Sequence, residues 1–66
     1  MEWAINIERK NYTEPVDMET IKTALIQAGI SPDVDEEMEK VTVGQYEVAR
    51  ATKVINGLGY ETDEDN

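Results

Sequence analysis

The residues best suited to chemistry in this chain are Gln45, Arg50, Lys53 and Asn56, which steps of about 100° place along one side of a helix. Amide and guanidinium groups so arranged reach base edges and phosphates when a helix enters the major groove. Tyr46 and Ala49 share that side. The plain alternative is a solvated face, on which Arg50 and Lys53 keep an acidic chain in solution. A second candidate is the acidic run Asp33, Asp35, Glu36, Glu37 and Glu39. Its alternating carboxylates resemble the start of a calcium loop, but such a loop needs Gly at its sixth position and Glu at its twelfth. This chain has Met38 and Gly44 there. The run is therefore read as an acidic surface, and neither a metal nor a cofactor is expected.

Composition narrows the chemistry further. The 66 residues include no Cys and no His, which removes the thiolate, the commonest metal ligand and the commonest general base. No glycine-rich phosphate loop is present. A chain this short buries only about 60% of the surface it exposes when unfolded, leaving little room for a deep cleft. No enzyme is expected. Fifteen Asp and Glu against six Lys and Arg give a net charge of −9, which repels nucleic acid and membranes at long range. No apolar run approaches the roughly 18 residues of a membrane span, and the first residues lack the layout of a secretory signal. A soluble, cytoplasmic chain is the expectation.

The elements that must position these residues read as mainly α. Trp3, Ile5 and Ile7 alternate as a half-buried strand would, whereas Trp3, Ala4 and Ile7 fit one helical face. Glu2 at one end and Arg9 with Lys10 at the other favour the helix. Pro15 marks residues 11–16 as a connector. Asp17 reads as an N-cap, followed by a stripe of Met18, Ile21, Leu25 and Ala28 that Gly29 closes and Ile30 seals. Ser31-Pro32 restarts the chain with one or two helical turns, Val34 and Met38 four apart. Thr42 and Gln45 then form a capping box, with Val41 and Tyr46 as a hydrophobic staple. The third helix buries Val48, Ala51, Ile55 and Leu58 and stops at Asn56-Gly57 and Gly59. Residues 1–60 thus make a single domain, a compact three-helix bundle of winged-helix or helix-turn-helix type, with an α+β variant if the first element is a strand. Residues 61–66 are expected to be an acidic, disordered tail.

The order Trp3-x-x-x-Ile7, Ile21 and Leu25 on one helix, the Gly29-Ile30 break, Gln45-x-x-Val48-Ala49-Arg50 and Leu58-Gly59-Tyr60-Glu61 resembles the C-terminal helical module of virulence-associated-E-type phage and plasmid primase-helicases. The resemblance implies a winged-helix-like unit making nucleic-acid or subunit contacts during replication. This chain departs from it in lacking an ATPase and in carrying Glu61-Thr62-Asp63-Glu64 where basic residues are usual. Direct DNA contact through Gln45, Arg50, Lys53 and Asn56 is accordingly disfavoured, because useful affinity for a duplex takes about six neutralised phosphates. The favoured expectation is a small, acidic, non-catalytic interaction module of phage or mobile-element type that binds a protein partner, such as a basic nucleic-acid enzyme whose site it occupies as a DNA mimic. A homodimer would enlarge its small core.

Overall fold

Glu2–Glu8 forms the first strand, β1, because a helix would set Ile5 and Ile7 about 200° apart, whereas a strand buries both on one side. Terminal charges worth about 0.3–1 kcal/mol each do not outweigh two isoleucines worth about 1.5–3 kcal/mol each when buried. The computed structural model describes residues 2–8 and 16–65. Arg9 and Lys10, proposed to end a first helix, lie outside the described residues, as does most of the connector.

The first helix, α1, spans Met18–Gln27 and follows its expected design. The Asp17 carboxylate accepts the Thr20 N–H at 3.1 Å and the Thr20 hydroxyl at 2.8 Å, Met18, Ile21 and Leu25 are buried, and Gly29 at φ 82° turns the chain out of the helix. Ile30 then packs back into the core.

The next segment overturns the expected helical turns at Ser31-Pro32. Asp33–Asp35 is a short strand, β2, paired antiparallel with β3, Lys40–Gly44. Residues 36–39 make the turn between them, and it closes locally, with the Asp35 carboxylate accepting the Met38 N–H at 3.1 Å. Val34 and Met38 do not share a stripe, since Val34 packs against the core and Met38 is exposed. Thr42 is not a helix cap. It lies in mid-strand opposite Ala4 and Asp33, and its neighbours Val41 and Val43 are buried, so β-branched alternation prevailed over the local capping pattern. The staple fails with it: Val41 is fully buried and Tyr46 is 89% exposed.

A 3-10 turn, Gln45–Glu47, leads into the second helix, α2, Val48–Gly57, which starts at Glu47 with no side-chain cap. Ala51 and Ile55 are buried and Val48 packs against the core, whereas Leu58 is 41% exposed and belongs to the rim. Gly59, at φ 100°, breaks the chain from the helix. The expected disordered tail is instead a strand, β4, Glu61–Asp65, paired with β1.

The chain is therefore α+β, with two helices on one face of a four-stranded antiparallel sheet of order β2-β3-β1-β4. This is the split βαβ, ferredoxin-like arrangement, and it replaces the three-helix, winged-helix-like bundle. Ile5, Ile7, Val41 and Val43 meet Met18, Ile21, Leu25, Ile30, Ala51 and Ile55 in one core on the helix side.

Candidate functional site: the open face of the sheet

With both helices on one side, alternate strand residues turn to the other. Ala4, Asn6 and Glu8 of β1 therefore share a face with Lys40 and Thr42 of β3, Asp33 and Asp35 of β2, and Glu61 and Asp63 of β4. The register sets these residues in rows: Asp33, Thr42 and Ala4 in one, and Asp35, Lys40, Asn6 and Asp63 in the next. Glu8 stands opposite Glu61. Lys40 has an opposite charge beside it in Asp35, whereas Glu8 and Glu61 are like charges directly across, an arrangement that opposes pairing by about 0.2–1 kcal/mol.

The distribution of charge between the layers is uneven. The capped helix α1 and the segment 45–57 carry Asp17, Glu19 and Glu47 against Lys22, Arg50 and Lys53, so the helical layer is neutral. The strands with the β2–β3 turn hold eleven acidic residues against Lys40 alone. Practically all of the −9 thus belongs to the sheet layer. Of the acidic surface expected from the sequence, Asp33 and Asp35 lie on the open face, whereas Glu36, Glu37 and Glu39 form the adjoining turn. Among the described residues, no three carboxylates converge as a metal ion would require.

The proposed basic face fares differently. Gln45, Tyr46, Arg50, Lys53 and Asn56 are all exposed, but two of them are committed to the fold. The Arg50 guanidinium donates to the Ala28 carbonyl at the C-terminus of α1 and to Glu47 at 3.0 Å. It serves as a cationic clasp on a helix end, where positive charge is favoured. Asn56 donates its amide to the Tyr60 carbonyl at 2.8 Å, fixing the turn into β4. Gln45 precedes α2 and lines a shallow pocket with Trp3, Val48 and Ala49. Lys53 is exposed on α2.

Asn6, Glu8, Glu61 and Asp63 were missed by sequence reasoning. Their signal was present in the alternation of polar Asn6 and Glu8 with Ile5 and Ile7. It was legible only once residues 61–65 were recognised as a strand.

No protein-family model and no curated protein matches the sequence. Among solved structures, the chain is similar to the N-terminal domain of PacS from Synechocystis PCC6803, with a TM-score of 0.73 and 15% identity, over 100% of this chain and 98% of that one. At that identity the likeness establishes the fold. Among the described residues no helix is long and apolar enough to cross a membrane.

Proposed function

We propose that this chain is a non-catalytic protein-binding module that meets a basic surface of its partner with the open face of its sheet. The segregation of charge carries this reading, since a neutral helical layer behind a strongly acidic sheet layer presents one face to a cationic partner. Charges gathered on one face steer encounter and fix orientation more than they add affinity, so binding should be fast and salt-sensitive. Nucleic acid is repelled by the same face. The helical alternative is weakened by Arg50, which the fold already uses between α1 and α2.

The test compares two double variants that change net charge equally. Asp33→Asn with Asp63→Asn should weaken binding to a lysine-rich protein surface by about tenfold, as loss of two favourable contacts of about 0.7 kcal/mol each implies. Glu19→Gln with Glu47→Gln, in the helical layer, should leave it within about twofold. Isothermal titration at low and high salt reads both. Equal losses would show that net charge, and not this face, governs the interaction.

A further inference from the structure

The free edge of β4 adds a directional element to the acidic face. The Ile7 N–H donates to the Glu39 carbonyl at 2.9 Å, on the β3 side. In a central antiparallel strand, successive residues turn their main-chain groups to opposite neighbours. Asn6 and Glu8 therefore turn to β4 and meet Asp63 and Glu61. Thr62 and Glu64, which alternate with those two, direct their N–H and C=O groups outward, where no further strand lies among the described residues. The other edge strand, β2, has only three residues.

Beside this edge runs a groove of about 480 Å³ lined by Asn56, Gly59, Tyr60, Glu61 and Thr62. Its wall is held by the hydrogen bond from Asn56 to the Tyr60 carbonyl, and Tyr60 is itself fixed by accepting the Asp17 N–H on its hydroxyl at 3.2 Å. The groove lies on the helix side of β4 and the carboxylates of Glu61 and Asp63 on the open side. An added strand would therefore experience two different environments at alternate positions.

We infer that β4 takes up an extended segment of a partner protein as a fifth strand, with Lys or Arg at every second position over Glu61 and Asp63 and small or polar side chains between them entering the groove. The inference rests on the acidic-face reading and deepens it by naming the shape and spacing of the partner. A second copy of this chain is excluded from the edge, because paired β4 strands would oppose Glu61 and Asp63 with further carboxylates. A basic strand places opposite charges there and satisfies the outward main-chain groups.

The probe is a capped peptide alternating Lys with Thr, titrated into the full chain beside an analogue of equal charge whose Thr amides are N-methylated and cannot donate. The parent should bind, the analogue should bind about tenfold more weakly or less, and amide exchange should slow at Thr62 and Glu64 in the complex with the parent. Thr62→Pro, which removes an outward N–H and no donor to β1, should weaken the parent similarly. Equal binding of the two peptides would overturn strand addition and leave the acidic face intact. Failure of both to bind would overturn the acidic-face reading and the inference together. A homodimer in sedimentation that the peptide does not dissociate would also overturn the inference.

Discussion

At the scale of single residues, two polar side chains show how differently a local signal and a remote one are read. Asp17 caps α1 as its position before Met18 implied, because the capping bond closes within three residues and needs nothing else from the fold. The bonds it accepts, first from the Thr20 hydroxyl and then from the Thr20 N–H, hold its carboxyl below the ordinary value of 3.8. A group lowered on folding stabilises fully above its ordinary value, and that contribution is lost as pH falls from there through the folded value. Asp17→Ala should therefore be less stable than the parent near neutral pH, and the gap should close in acid. Urea midpoints at neutral pH and below 3.8 measure this, and a gap independent of pH would show that ionisation is not what stabilises the cap. Arg50 was legible as an exposed cation but not as a clasp. Its acceptor, the Ala28 carbonyl, is 22 residues away, and only the packing of α1 on α2 brings the two together.

At the scale of elements, legibility followed the range of the forces that decide them. For α1, the cap, the stripe and Gly29 agree, and the element formed as read. The stretch from Ser31 to Gly44 has helix-like local signals too, but Pro32, Asp33 and Thr42 serve a hairpin, since Val41 and Val43 gain more from the core beside Ile5 than Thr42 gains as a cap. Thr42 as a cap is worth about 1 kcal/mol, against about 1.5–3 kcal/mol for each buried valine. β4 was illegible for a related reason: its composition is that of a disordered segment, and only pairing with β1 orders it. The closure of α1 offers a clean check on the backbone. A Cβ at Gly29 would meet Arg50 at 3.8 Å, an ordinary contact, so the cost of Gly29→Ala is set by φ 82° alone. It should amount to about 1–2 kcal/mol, read as a lowered urea midpoint with an unchanged slope.

At the scale of the whole molecule, the core is small and shared. Ile5 of β1, Val41 of β3, Ile21 of α1 and Ile55 of α2 are each fully buried, so these four elements depend on one cluster. For a chain of this length total stability is about 3–10 kcal/mol, and truncating a buried isoleucine costs about 2–5 kcal/mol. Ile55→Ala should thus remove a large share of the stability, seen as a strongly lowered urea midpoint. Ile26→Ala, at a position 55% exposed, should stay within about 0.5 kcal/mol of the parent. The individual apolar residues were readable from the sequence, whereas the assembly of their elements into a sheet with one bare side was not. That arrangement depends on three pairings between residues up to 61 positions apart, such as Ala4 with Asp65.

The bare, acidic side backed by a neutral one also makes the molecule a permanent electric dipole. Near any positively charged support, from an anion-exchange bead to an electrode, it should settle strands-down with its helices outward, so a fluorophore on Lys53 should stay accessible to quencher while one near Lys40 is shielded.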